Sequence, residues 1–217
     1  MTSFHILFIL ACILYFGVSI FLRRKAGAHA IVLVDRRNTR LYSVITSFWG
    51  PALYAVLLVY MIVPEWLSWA SVSVPSAARW TGAVLAVCSL PLTFWSLHSL
   101  GRNLAGGLQV TLGFTLVTRG PYKYIRHPLY LAGTLFLSGL SLLSANAAVL
   151  LPCLTGIILM RFSVIPREEL TLMETFGREF SAYRNRTGIW MPVWSGRRDR
   201  GRNKTMGEQL SGGVHEA

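Results

Sequence analysis

From Ser3 to Leu22 the chain carries no Asp, Glu, Lys or Arg, and the run closes on Arg23-Arg24-Lys25. About twenty apolar residues are enough to take a helix across a hydrocarbon layer of roughly 30 Å. The basic cluster follows the run, and no small-residue cleavage pattern precedes that cluster. The segment therefore reads as a retained membrane span and not as a signal peptide.

Four more runs of this kind follow, at about Ser43 to Pro64, Trp80 to His98, His127 to Ser144 and Ala147 to Ile165. Only Ala145-Asn146 separates the last two, which predicts a tight antiparallel helical hairpin. Pro51, Pro91 and Pro152 fall inside spans, where neighbouring helices or Ser and Thr side chains can satisfy the freed carbonyls, and they are expected to mark kinks. With 53% hydrophobic and 14% charged residues, the chain is too apolar for a soluble domain with one ordinary core. The predicted fold is all-α: a polytopic integral membrane protein with about five transmembrane helices and a cytoplasmic C-terminal helix. Residues 1–99 form three N-terminal helices with a basic loop, 100–194 a core region, and 195–217 a basic tail too polar and turn-rich to fold alone.

Five spans place alternate loops on alternate sides. One side then collects Arg23, Arg24, Lys25, Arg36, Arg37 and Arg40, then Arg102, Arg119, Lys123 and Arg126, and everything after Ile165; the other holds only Arg79. The excess of Lys and Arg on cytoplasmic loops puts the N-terminus outside and the C-terminus in the cytoplasm. This distribution, with some contribution from anionic headgroups, accounts for the net charge of +12 without nucleic acid as a partner. Cys12, Cys88 and Cys153 each lie within a span and lack C-x-x-C spacing, so neither a disulfide framework nor a metal site is expected. No internal repeat is detectable, and intramembrane charge is scarce, which argues against an ion or proton pathway.

Chemistry concentrates where polar residues interrupt the pattern. Gly101, Gly106, Gly107, Gly113 and Gly120 open a segment that continues through Pro121, Tyr122, Lys123, Tyr124, Ile125, Arg126, His127, Pro128, Leu129 and Tyr130. Glycines permit close backbone approach to a small molecule. Pro128 suits the first turn of a helix, leaving Arg126 and His127 at its positive end near the lipid boundary. Each of these aromatic and basic residues alone would pass for an interfacial anchor. The second segment follows Pro166, which is expected to stop the fifth span and start a new helix carrying Glu168 and Glu169 in its first turn. Acidic residues there complement the helix dipole, a sufficient reason for their presence. Spacing adds another, because Glu169 shares a face with Met173, Phe176 and Phe180, so a carboxylate points along an apolar surface. Such a group needs a cation or several hydrogen-bond donors.

Taken in order, Leu100-Gly101-Arg102-Asn103, Leu116-Val117-Thr118-Arg119-Gly120-Pro121-Tyr122, Arg126-His127-Pro128-Leu129-Tyr130 and Glu168-Glu169-Leu170 resemble the isoprenylcysteine carboxyl methyltransferase family and its phospholipid N-methyltransferase relatives. Phe176-Gly177-Arg178-Glu179-Phe180, Tyr183 and Pro192 extend the likeness over about the C-terminal 90 residues. The resemblance implies an S-adenosyl-L-methionine-dependent methyltransferase acting on a carboxyl, hydroxyl or thiol group of a lipophilic substrate. It implies a cytoplasmic cofactor pocket in which Thr115, Leu116 and Val117 line the nucleoside region and Tyr122 lies alongside. His127, Pro128, Leu129 and Tyr130 would hold the cofactor, with Glu168 facing it and Glu169 supporting or exchanging roles with Glu168. His127, Glu168 and Glu169 are the expected catalytic residues. The family's substrate-binding arginine has an apolar counterpart here, leaving Arg161 and Arg167 as candidates.

The methyl acceptor would enter from the bilayer, the plasma membrane in a bacterium or the endoplasmic reticulum in a eukaryote. Two other readings stand beside this one: amine or phospholipid N-methylation, and a non-enzymatic role in membrane transport or complex assembly.

Overall fold

A computed structural model describes residues 2–26, 40–104 and 115–193. The tail from residue 194, the basic loop 27–39, and Gly106, Gly107, Gly113 and Phe114 lie outside the described residues. The first helix, α1 (Ser3–Lys25), starts at Thr2, whose hydroxyl accepts from the His5 amide, and ends with Arg23, Arg24 and Lys25 at its carbonyl end, where cations are favoured. Next come α2 (Arg40–Ile62), which contains Pro51, and α3 (Ser76–Leu100), which contains Pro91. The hairpin follows as α4 (Pro128–Ser144) and α5 (Ala147–Leu159). Ala145 in the left-handed region and an Asn146 side chain that caps the Ala148 amide make its tight turn, as the sequence predicts.

At one end of the bundle, His5 of α1 donates from Nε2 to the Tyr60 carbonyl at 2.9 Å, and the Tyr60 hydroxyl donates to the Ser144 carbonyl at 2.9 Å. Arg79 of α3 forks onto the Leu143 carbonyl at 3.1 and 2.7 Å. The start of α1, the end of α2, the start of α3 and the end of α4 therefore meet there. Helices joined in this alternating way gather their opposite ends on a second face.

The closest pairing is α3 on α4. A Cβ on Gly82 would meet the Gly139 carbonyl oxygen at 2.8 Å, and one on Gly139 the Gly82 oxygen at 2.7 Å, so the backbones touch directly. Small residues permit this approach where lipid supplies no hydrophobic drive between helices. Buried Ser89, Thr93 and Ser96 return their hydroxyls to carbonyls of their own helix, which satisfies these three groups inside the bundle. Phe8, Leu57, Phe136, Leu140 and Val149 fill the centre. The outer surface is apolar as well: Ile13, Val84, Val87 and Leu151 are all more than half exposed, which water would penalise and lipid does not.

Three described helices are long and apolar enough to cross a membrane, Ser3–Lys25, Ser76–Leu100 and Ala147–Phe176. A fourth span arises if the apolar helix ending at Ile62 is joined to the 3-10 segment Pro64–Ala70, which bends away by 109°. α4, at 17 residues, is shorter. The integral membrane class stands on these helices, whereas the count of five remains an expectation.

The sequence-based boundary at Pro166 requires correction. α5 passes through a π turn, Met160–Val164, directly into α6 (Ile165–Phe176), giving one helix of 30 residues. A proline lacks the amide hydrogen and crowds the carbonyl four residues back; the wider turn ahead of Pro166 relieves both demands. Glu168 and Glu169 thus stand within a continuous helix and not at a free N-terminus. Complementation of a helix dipole cannot account for them. Gly177, at φ +47°, then breaks the chain before α7 (Arg178–Arg186).

Candidate active site

The site is built at the second face, where α3 ends and α4 begins. Gly101 stops α3 at φ +53°. Nearby, the Asn103 amide donates to the Thr115 carbonyl at 2.8 Å, pinning the extended stretch that leads to Arg119. Gly120 (φ +61°) then turns the chain into a short 3-10 segment, Gly120–Lys123, and a Cβ there would lie 2.1 Å from the Ser99 hydroxyl. Only glycine fits. Tyr122 is buried by this turn, and His127 occupies the residue before α4 with Pro128 at the first helical position.

Four charged or ionisable side chains converge here. Arg126 donates from Nε to Glu169 Oε1 at 2.7 Å, and its Nη1 donates to the carbonyls of Arg184 at 3.1 Å and Thr187. His127 Nε2 lies 3.2 Å from the same Glu169 oxygen. Because a carboxylate only accepts, Nε2 is the donor in this contact, and Nδ1 lies 3.7 Å from Glu168 Oε2. Glu169, 11% exposed, is therefore held by two donors and approached by Arg184 at 3.7 Å. Glu168 is arranged differently: its Oε2 is buried yet has no hydrogen-bond partner. A buried, unpartnered carboxylate oxygen is costly unless something binds it.

The end of the chain straps this cluster in place. Tyr183 donates its hydroxyl to the Tyr122 carbonyl at 2.7 Å. The amides of Arg126 and His127 donate to the carbonyls of Gly188 at 2.8 Å and Ile189 at 3.2 Å. Gly188 is required, since a Cβ would stand 1.8 Å from the Met191 carbonyl oxygen. Burial pushes the Tyr183 phenol up to about 12, despite the opposing pull of Arg126. Burial, and then the nearby Glu168, raises the Tyr122 phenol as well. Both remain protonated donors at ordinary pH.

These elements enclose a cavity of about 700 Å³. Thr115, Leu116, Val117, Tyr122, His127, Leu129, Tyr130 and Glu168 all line it, so the sequence-predicted residues are brought together. Pro128 is buried behind the wall, and Glu169 stands outside the lining as the partner of Arg126 and His127. Arg161 and Arg167 do not line the cavity either; Arg161 lies over the rings of Phe162 and Trp190 at 5.4 and 5.8 Å. Sequence reasoning read Arg23 of α1 only as a topology-setting cation and Asn103 only as part of a motif, and it passed over Tyr15, Ser19 and Tyr54, all of which face the cavity. Tyr15, Ser19 and Arg23 are spaced four residues apart, one stripe of a helix, and that periodicity was the available signal. Thr171, Leu172, Thr175 and Phe176 continue the wall along α6.

One cavity of the helical bundle thus presents an imidazole, a carboxylate oxygen without a hydrogen-bond partner and several aromatic rings. Residues 77–179, just under half of the chain, match the model of the phospholipid methyltransferase family. The segment from Thr115 to Glu169 falls wholly inside the match. The chain is also similar to the cobalt-zinc-cadmium resistance protein CzcN of Cupriavidus metallidurans, with 38% identity over 119 residues, 53% of this chain and 54% of that protein. It thus spans about half the length of this curated relative. Among the described residues, no group of three or more His, Cys, Asp or Glu side chains is placed to hold a metal ion.

Proposed function

We propose that the chain is an S-adenosyl-L-methionine-dependent methyltransferase that modifies a carboxyl, hydroxyl or thiol group of a lipophilic acceptor, on the cytoplasmic side of its membrane. The observation that carries this reading is the unpartnered Oε2 of Glu168, directed into a cavity that the methyltransferase family segment surrounds. A cavity of about 700 Å³ falls in the usual range for small-molecule sites, so the residues present fit such a cofactor.

Glu168 would hold the cationic part of the cofactor, Thr115 to Val117 its nucleoside, and Tyr122 and Tyr130 its flanks. When bound, the cofactor supplies an electrophilic methyl carbon for in-line displacement. The protein's task is then alignment and exclusion of water, worth up to several orders of magnitude in rate. Glu169 acts as a positioning residue: by accepting the Nε2 proton of His127 it keeps the Nδ1 lone pair available. A hydroxyl or thiol acceptor would pass its proton to that nitrogen; a carboxylate would need no base. Arg126, whose Nε and Nη1 are engaged by Glu169 and two carbonyls, organises the site.

Calorimetric titration of S-adenosylhomocysteine into the purified protein tests this. Wild-type binding that falls about tenfold or more in Glu168→Ala is expected for loss of a charge-assisted contact. Unchanged affinity in both Glu168→Ala and Glu169→Ala would remove the assignment. The family description favours a second reading, methylation of a phospholipid amine. Mass spectrometry of membrane lipids after incubation with methyl-labelled cofactor separates headgroup products from esters, ethers and thioethers.

A further inference from the structure

Two arginines line the cavity, Arg23 of α1 and Arg126 before α4. Arg126 already donates to Glu169 and to the carbonyls of Arg184 and Thr187. Arg23 differs. Among the described residues no carboxylate lies within ion-pair distance of it, and no described carbonyl accepts from it. A basic residue in the last turn of α1 would ordinarily be a membrane-surface anchor that favours the carbonyl end. Arg24 and Lys25 fit that description, being exposed and absent from the cavity wall, whereas Arg23 is half-buried and turned inward.

The surroundings of Arg23 show what it could meet. Ser19 and Tyr15 continue its stripe down α1, the latter about 12 Å deeper at the helical rise. Tyr15 stacks on Phe136 with ring centroids 3.8 Å apart, and Phe16 and Tyr54 lie 5.5 Å apart beside it. On the opposite wall Gly133 lies six residues beyond His127, about 9 Å deeper along α4. Gly133 lines the cavity, and a Cβ there would sit in ordinary contact, 3.7 Å, with both the Tyr15 hydroxyl and Met160. The cavity is thus lined by the ionisable groups of Arg23, His127 and Glu168 together with the rings of Tyr15, Phe16 and Tyr54.

We propose that Arg23 receives the anionic end of the methyl acceptor, whose tail lies along Ser19, Tyr15, Tyr54 and Gly133, so that the enzyme selects acidic amphiphiles over amines. This deepens the methyltransferase reading and rests on it for the word acceptor. The placement of a cation at the head of an apolar track stands independently. Glu168, which also lines the cavity, serves the opposite charge, which divides the site between a cationic ligand group and an anionic one.

The test uses the full chain in nanodiscs of neutral phosphatidylcholine, with empty nanodiscs subtracted. Three probes share one tail and differ in head: dodecyl sulfonate, dodecanol and dodecylammonium. Wild type should bind the sulfonate at least about tenfold more tightly than the alcohol, Arg23→Gln should lose that preference, and Arg23→Lys should keep part of it. S-adenosylhomocysteine affinity, titrated in the same samples, should change by less than about twofold in Arg23→Gln. No sulfonate preference in wild type, an undiminished preference in Arg23→Gln, or a parallel loss of S-adenosylhomocysteine binding would overturn the proposal, the last by assigning Arg23 to the cofactor. If wild type fails to bind S-adenosylhomocysteine while the sulfonate preference holds, the methyltransferase reading fails and the anion site stands.

Discussion

Glu168 and Glu169 are adjacent in sequence and opposite in role. Glu169 is locked between Arg126 and His127, with Arg184 near, so removing its charge strands a nearly buried guanidinium. Breaking such a pair from one side costs about 3–5 kcal/mol, and Glu169→Ala should lower the thermal midpoint of the purified protein sharply. Glu168→Gln should leave that midpoint within a degree or two, since its Oε2 satisfies no neighbour, while weakening cofactor affinity. Differential scanning fluorimetry alongside calorimetry separates the two outcomes. Helix-face arithmetic on the sequence pointed to Glu169 as the inward carboxylate, and the family resemblance pointed to Glu168. In the structure the Glu169 side chain is nearly buried between Arg126 and His127, and the Glu168 side chain lines the cavity. Periodicity reports burial and cannot distinguish a partnered group from a vacant one.

At the scale of elements, the π turn Met160–Val164 sets which way α6 faces. Each residue added to a helix turns everything beyond it by about 100°. One alanine inserted between Ser163 and Val164 should therefore carry Glu168 off the cavity and abolish cofactor binding without preventing membrane insertion, as read by titration of protein extracted from the membrane fraction. Gly188→Ala is expected to cost about 1–3 kcal/mol by overpacking against the Met191 carbonyl. It should also loosen the strap over Arg126 and His127, visible as faster hydrogen exchange at those two amides. Helix existence was legible in the apolar runs, and the hairpin in Ala145-Asn146. The continuity of α5 with α6 was not, since Pro166 is a valid stop signal unless the preceding turn widens, and no local pattern marks that widening. The cavity wall was legible where motifs lie close in sequence, from Thr115 to Tyr130. It was hidden where it draws on Tyr15, Ser19, Arg23 and Tyr54, which only tertiary packing brings to the site.

For the whole molecule, the alternating helix ends divide the bundle into a clamp face around His5, Tyr60 and Arg79 and a site face around His127. Cysteines introduced at Trp69 and Glu179, in a background lacking Cys12, Cys88 and Cys153, should react with a membrane-impermeant maleimide from opposite sides of sealed vesicles. Labelling of both from one side would refute the predicted topology. Trp66 and Trp69, 70% and 79% exposed on the segment that bends away from α2, suit a lipid–water boundary. The strap gives the molecule a timetable. Arg126 and His127 leave the ribosome some sixty residues before Thr187, Gly188 and Ile189, whose carbonyls they require. During synthesis the helices can insert while those carbonyls are still missing, so the hydrogen bonds that hold Arg126 and His127 close only once residues 187–189 have emerged.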